Sequence, residues 1–519
     1  SSLVFLILSQ AVIPVMGGFM LIRESELMSS QELILTIDIG TSSCKVCLFD
    51  LSGAIRATAK SEYPTLSPQP SFAEQDVSAI YSGIVQSVKA VLSKHSPSRV
   101  IALACDTMLH STLLLDEEGD PLYPLLNWMD TRCQDELKSL NQEYQEKRFY
   151  FRNGVPLHTI YNLPRLIWFR KHYPSFLQSA WKIATIKDWF LGKITGEWYC
   201  DYSTASGTGL LNLSDRRWDE ELVSCAQVST KQFLPLCEPD HHFPLQVGPF
   251  THDTGLLPGI PVVWGGGDGP FANLGEGMFH QREMVITVGS SGAVRMCDHQ
   301  PVFDPNQRSW CYYLADGIWV GGGAINNGGI VYSWMNDLLN DNTQWEIDPQ
   351  RPRPLFLPFL TGERSPNWNA QARGVLFGLS YFHTKEALIQ SAFEGIAFRI
   401  RSIFELLKDI IGDPLQVVVN GGFGVSPKGS NILSHVLGIP LQLSEFPSAP
   451  CRGTFFLTLK VLNQIKSLDE ISQKSFNQLN TLQPNLDYSA FYDRLYRFYE
   501  KVYQANRGLF QEFSEFHLA

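Results

Sequence analysis

Asp38, Gly40, Thr41, Ser42 and Ser43 fall within six residues of LILTIDIGTSSCKVCLFDLSG, residues 33–53. An apolar run ends on a carboxylate, and a glycine and three hydroxyls follow almost at once. A strand-to-turn junction of this composition turns several backbone N–H groups toward one point, a concavity that binds phosphate. Gly40 permits close approach of the main chain, and Thr41, Ser42 and Ser43 add hydroxyl donors. A carboxylate there repels phosphate unless a cation lies between them. Mg²⁺ held by Asp38, largely through water, with phosphate oxygens in its shell, resolves that conflict. The pattern returns in MVITVGSSGAV (284–294), where Gly289, Ser290 and Ser291 follow an apolar run, and in LQVVVNGGFG (415–424), which ends on Gly421 and Gly422. PVVWGGGDGP (261–270) sets one acid, Asp268, behind three glycines. No G-x-x-x-x-G-K-[ST] occurs, so this is not a Walker loop.

The elements that must carry these residues follow from hydrophobic period. Residues 33–39 and 44–50 read as a strand pair joined by the Gly-Thr-Ser-Ser turn. Val77, Ile80, Tyr81, Ile84, Val88 and Val91 recur at three and four spacing, which predicts a helix over 77–93. RVIALAC (99–105) is then a buried strand, and strand–helix–strand order implies a right-handed crossover in an α/β sheet. A second strand–turn–strand unit begins about 250 residues later, at 284. It is accompanied by an amphipathic helix near 385–408. Two related α/β domains with a ligand cleft between them are expected, with their boundary at 276–284. The segment 491–506 reads as a core helix, with a dimer face as the other reading.

At 519 residues the chain exceeds one hydrophobic core. A net charge of −11 argues against a general nucleic-acid binder, so an anionic ligand needs locally concentrated cations. Of ten cysteines only Cys44 and Cys47 form a C-x-x-C. Three apart on a strand, they point to opposite faces and suit neither one metal nor one disulfide. Reduced thiols and a cytoplasmic location are expected. LVFLILSQAVIPVMGGFMLI (3–22) is uncharged and long enough to span a bilayer. No basic residue precedes it, however, and Pro14, Gly17 and Gly18 interrupt it. We expect residues 1–30 to be an extension, non-native or over-extended, rather than a membrane anchor.

TIDIGTSSCKVCLFD resembles the first phosphate motif of the actin-like ATPase superfamily, ITVGSSGA its second, and VVVNGGFGVSPKGSNILSHVLGIPL its adenosine motif. Within that superfamily the likeness is to the FGGY carbohydrate kinases over roughly 33–465. LNWMDTRCQDE, DYSTASGTGLLNL, GGGDGPFANLGEG, GGAINNGGIVYSWMND and LPFLTGERSPNWNAQARGVLFGL carry a finer likeness to the gluconate kinases among them. The resemblance implies an α/β fold of two actin-like (ribonuclease H-like) ATPase domains with a central cleft, the first over 31–278 and the second over 279–519. It implies ATP and Mg²⁺ as cofactors, a sugar acid as substrate, a monomer or homodimer, and no nucleic-acid or membrane partner. Rival readings are a kinase for xylulose, ribulose or glycerol, and a non-catalytic nucleotide switch.

Phosphoryl transfer needs positioning, charge neutralisation and a group to accept the proton of the attacking hydroxyl. The resemblance gives that last role to Asp268; the alternative is a cap on a helix starting near Phe271. It assigns Trp128, Asp130 and Arg132 of NWMDTR to the sugar, as aromatic wall, hydroxyl acceptor and donor fork. His110 aligns with a family histidine and either bonds substrate or is a satisfied core residue. A substrate carboxylate calls for a cation, and the candidates are Arg132, Arg165 and Lys187. Gly289, Ser290 and Ser291 are expected to bind phosphate, and Gly328, Gly329, Gly421, Gly422 and Asn431 to lie near the nucleotide. EQDV (74–77) resembles the family's E-Q-D-P, with Val77 in place of the proline, or supplies an acidic helix start. Glu363 and Arg364 are expected to form an internal ion pair.

Overall fold

β1 (Leu33–Ile39) is buried on both faces except at Asp38, as befits a central strand, and it pairs antiparallel with β2 (Ser43–Asp50). β3 (Ile55–Glu62) alternates half-buried and exposed side chains because it closes the sheet edge with one face in water. α1 (Val77–Leu92) is capped by Asp76, whose carboxylate accepts from Ser78 N–H at 2.8 Å, and it buries the predicted apolar stripe. β4 (Val100–Thr107) then lies parallel to β1. β5 (His242–Pro244) and β6 (Pro261–Val263) complete a six-stranded sheet in the order β5-β6-β4-β1-β2-β3. α2 (Asp268–Gly275) leads out of it.

The computed structural model describes residues 10–15, 18–23, 32–340, 345–471 and 479–516. Its second half repeats the first. β7 (Glu283–Val288) and β8 (Gly292–Asp298) form an antiparallel pair, as β1 and β2 do. β9 (Trp310–Tyr313) and β10 (Trp319–Ile325) extend the sheet beyond β8, and α3 (Gly329–Leu339) follows. After α4 (Lys385–Ile411), β11 (Gln416–Asn420) lies parallel to β7, as β4 does to β1. α5 (Pro427–Leu437), β12 (Leu441–Leu443), α6 (Ala449–Val461), β13 (Asn480–Leu482) and α7 (Leu486–Glu515) close the chain. The sheet order is β9-β10-β8-β7-β11-β12-β13. The run β3-β2-β1-β4-β6-β5 and the run β10-β8-β7-β11-β12-β13 share every parallel and antiparallel sense. This is the two-domain, actin-like architecture.

The lobes interlock. α6 lies between two strands of the second sheet in sequence yet packs on the first: Phe455 stacks on Phe49 of β2 with ring centroids 4.7 Å apart. Cys44 and Cys47 are both buried, on opposite faces of β2. Cys44 donates to Ser87 Oγ of α1 at 3.3 Å, and Cys47 sits with Ile34 and Phe455 on the other side. Among the described residues every cysteine is a free thiol. α7 buries Tyr492, Tyr499, Val502 and Tyr503, so the 491–506 segment is core. Of the N-terminal extension, Gln10–Val15 and Gly18–Arg23 pair as an antiparallel hairpin; the rest of residues 1–31 lies outside the described residues. Among the described residues no helix is long and apolar enough to cross a membrane.

Candidate active site

The parallel register of β1 and β4 sets Asp38 opposite Asp106. Thr454 of α6 donates to Asp106 Oδ2 at 2.8 Å, while buried Oδ1 has no partner. Burial and the nearby Asp268 push Asp38 up to about 7, against the pull of Asp106 and Lys45. Burial and Asp38 push Asp106 well above the usual carboxylate range. Three carboxylates thus gather here, with Lys45 and Arg295 the cations beside them. Among the described residues no three His, Cys, Asp or Glu side chains are set to hold a metal unaided. The oxygen donors of Asp38, with an orphaned carboxylate oxygen behind them, suit a hard divalent cation whose other ligands are water and phosphate.

Asp268 is placed by the glycines before it. Gly265 has φ +65°, and a Cβ there would lie 1.9 Å from the carbonyl oxygen of Cys105. Only glycine lets the chain run this close to β4, where Thr107 N–H donates to Gly266 O at 3.1 Å. The helix cap is Gly267, so Asp268 opens α2 rather than capping it. Its carboxylate accepts from Gly269 N–H at 2.7 Å. Burial raises its pKa, and the Gly269 N–H and the Arg295 guanidinium oppose that rise.

Asp268 lies where two cavities meet. One, of about 370 Å³, is walled by Thr41, His110 and Trp128 of the first lobe and by Gly289, Ser291, Arg295 and Arg364 of the second. The other, of about 390 Å³, shares Asp268, Gly269, Thr287 and Arg295 and continues to Asp38, Lys45 and Gly421. The first turn is braced from outside: Tyr63 donates to Gly40 O at 2.6 Å and Gln75 to Thr41 O at 2.7 Å. Trp128 Nε1 donates to Thr41 Oγ1 at 2.8 Å, which ties the aromatic wall to the turn. His110 bonds Gly207 O through Nδ1 at 2.7 Å, so Nδ1 carries the hydrogen and Nε2 is an acceptor. Burial and neighbouring cations hold His110 down to about 3, so it is neutral.

Several expected site residues lie elsewhere. Asp130 and Arg132 are bonded to each other. Arg132 also reaches Glu74 at 2.7 Å and stacks on Phe72 at 3.7 Å. Arg165 is fully buried and gives its N–H groups to the carbonyls of Thr159, His110 and Asn127. Lys187 is buried in an ion pair with Asp201. These revise the expectation of a substrate-facing cation among the three, because the donors of each are already taken inside the lobe. Gly328 and Gly329 press on the second turn rather than lining either cavity: their N–H groups donate to Ser290 O at 3.1 Å and Gly289 O at 2.7 Å. Asn431 returns its amide to Pro427 O of its own helix at 2.6 Å, and Gly422 has open space about it. Ser42, Ser43 and Ser290 belong to the two turns but line neither cavity.

The cavity cations went unread in the sequence. Arg295 of β8 donates to Asn273 Oδ1 at 3.1 Å and Thr287 Oγ1 at 2.7 Å. Burial lowers it to about 10, with Asp268 supporting its charge. The expected Glu363–Arg364 pair does not form: Glu363 pairs with Arg399 of α4. Arg364 is left to the cavity. An arginine inside the apolar run GAVRMC was the available signal for Arg295.

A repeated lobe, twin glycine–hydroxyl turns and one carboxylate between them define a class, and the chain belongs to the FGGY family of carbohydrate kinases. The family's N-terminal domain matches residues 33–275 and its C-terminal domain residues 284–460. A gluconokinase of Bacillus subtilis (strain 168) is 31% identical over 458 residues, spanning 85% of this chain and 89% of that one. The crystal structure of a gluconate kinase from Lactobacillus acidophilus superposes with a TM-score of 0.87 at 26% identity, over 93% of this chain and 99% of that one. A ligand-bound xylulose kinase from the same organism gives the same TM-score, 0.87, at 26% identity, over 93% of this chain and 100% of that one.

Proposed function

We propose that the protein phosphorylates D-gluconate at its terminal hydroxyl, using ATP and yielding 6-phospho-D-gluconate and ADP. The observation that carries this reading is the pair of arginines, Arg295 and Arg364, on the wall of the cavity that opens at Asp268. Phosphoryl transfer to a neutral sugar accounts for one of them, Arg295, whereas an aldonate brings a further charge that the second, desolvated arginine holds well. Similarity to gluconokinases over most of the chain supports the same substrate.

In this reading Trp128 and His110 position the polyol chain. Asp268 accepts the proton of the terminal hydroxyl as its oxygen forms a bond to the γ-phosphorus and the bond to the bridging oxygen of ADP breaks. The turns at 40–43 and 289–291 hold phosphate oxygens through N–H and hydroxyl donors, and Arg295 steadies the transferring group. Mg²⁺, when bound beside Asp38, supplies neutralisation of phosphate charge. Gly421, Gly328 and Gly329, against the second turn, and the more distant Gly422 and Asn431 border the nucleotide side.

A second reading, a ketose kinase, draws on the equal likeness of the xylulose kinase structure. A coupled ADP assay over gluconate, xylulose, ribulose and glycerol separates them. Gluconate is expected to give the highest kcat/KM; tenfold preference for a neutral substrate removes it. ATP binding without phosphorylation of any sugar points instead to a nucleotide switch.

A further inference from the structure

Arg364 is a cavity arginine without a counterion. Among the described residues it makes no salt bridge, while neighbouring Glu363 is taken by Arg399. One N–H of Arg364 donates to Ile325 O at 3.1 Å, and its buried Nε has no partner. Its guanidinium lies 5.4 Å from the Trp128 ring centroid, across the cleft. The groups that otherwise face it are Tyr161, Tyr312, His110 and His158, none of them anionic at neutral pH. Burial and the positive charge of Arg364 hold His158 down to about 3. A buried cation in such company is costly unless something arrives to meet it.

The two cavity arginines divide by position. Arg295 borders both cavities and is close enough to Asp268 to influence its charge. Arg364 borders only the first cavity and is set among its aromatic walls. An aldonate likewise has two ends: a hydroxyl that must reach Asp268, and a carboxylate at the far end of the carbon chain. With the hydroxyl at Asp268 and Arg295 beside the reacting phosphoryl group, the carboxylate falls toward Arg364.

We infer that Arg364 is the specificity-determining residue that receives the substrate carboxylate, with its unpartnered Nε as one of the donors. This rests on the gluconate reading above and goes past it by assigning the acid end of the substrate to one residue. None of Arg132, Arg165 or Lys187 shares this setting, since each is already bonded within the first lobe.

The test compares wild type with Arg364→Gln and Arg364→Lys on gluconate and on glucitol, which carries a hydroxymethyl group in place of the carboxylate. Steady-state kinetics and calorimetric titration of each compound are read for every variant, with circular dichroism and thermal unfolding as folding controls. Arg364→Gln should raise KM and Kd for gluconate about ten- to hundredfold, the range of a lost charge-assisted bond. kcat should change less, and the ratio of gluconate to glucitol affinity should fall by a similar factor. Arg364→Lys should restore part of that ratio. If Arg364→Gln weakens both compounds equally, or leaves the ratio intact in a folded protein, Arg364 is a brace for Ile325 and Trp128 and the inference fails alone. If wild type neither binds nor phosphorylates gluconate, the functional reading fails first and the inference with it.

Discussion

Asp268 and Arg295 oppose each other's burial, and this makes the proposed base measurable. Asp268 must be deprotonated to accept a proton, so kcat/KM rises with pH through its pKa. Burial sets that pKa above the usual carboxylate value, and the Arg295 charge restrains it. Arg295→Gln removes the restraint, so the acid limb of the pH profile should move to higher pH. A limb that stays put would show that Asp268 is not the group titrating. Asp268→Asn should cut kcat by about 10²–10⁴-fold, the usual worth of a general base, while calorimetry still detects ADP binding. Asp38, Asp268 and both turns were legible in the sequence because acid, glycine and hydroxyl at the end of an apolar strand have no packing purpose. The cations were not. Arg132, Arg165 and Lys187 stand in settings as suggestive as those of Arg295 and Arg364, and only three-dimensional partners reveal which charges are already met.

The two lobes were legible at the element scale for a related reason. Strand, hydroxyl turn and strand recur about 250 residues apart, and a long amphipathic helix announces itself by period. The passage of α6 across to the first sheet was not, since nothing local in Ala449–Val461 names its partner. What fixes it is the crossing with α2. A Cβ on Gly275 would lie 1.8 Å from Ala449 O, and one on Gly453 would lie 2.2 Å from Phe271 O. The helices therefore meet backbone to backbone, with no side chain between them. Gly453→Ala should force them apart and lower stability by ~1–3 kcal/mol, as overpacking does, read as a lower unfolding temperature. Because α2 begins with Asp268, kcat should fall with it. Substitution of Gly196, which has open space around it but φ +75°, should cost backbone strain yet leave kcat alone. Equal kcat losses at the two glycines would mean that the α2–α6 crossing does not position the base.

Across the whole molecule, the seam between the lobes is where negative charge collects. Asp106 of the first sheet is bonded by Thr454 of α6, Asn420 of β11 donates to Glu276 beyond α2 at 2.8 Å, and Lys45 of β2 reaches Pro447 O. The chain as a whole carries −11, so little distant positive charge relieves the Asp38–Asp106 pair. A carboxylate whose folded pKa exceeds its unfolded one binds more protons when folded, so its stabilisation is present at low pH and lost as pH rises. For Asp38 the ordinary value is 3.8 and the folded one about 7, which places the loss between about pH 4 and 7. Asp268→Asn removes the charge that, with burial, pushes Asp38 up, so the decline in unfolding temperature across that window should flatten. Mg²⁺ with ADP should raise the unfolding temperature of wild type more at pH 8 than at pH 5, because ionised Asp38 is what the cation meets. In Asp268→Asn that difference should shrink. An unchanged slope in the variant would mean that the carboxylates are each solvated separately, and the seam would then be held by α2 and α6 without a charge-sensitive contact across it.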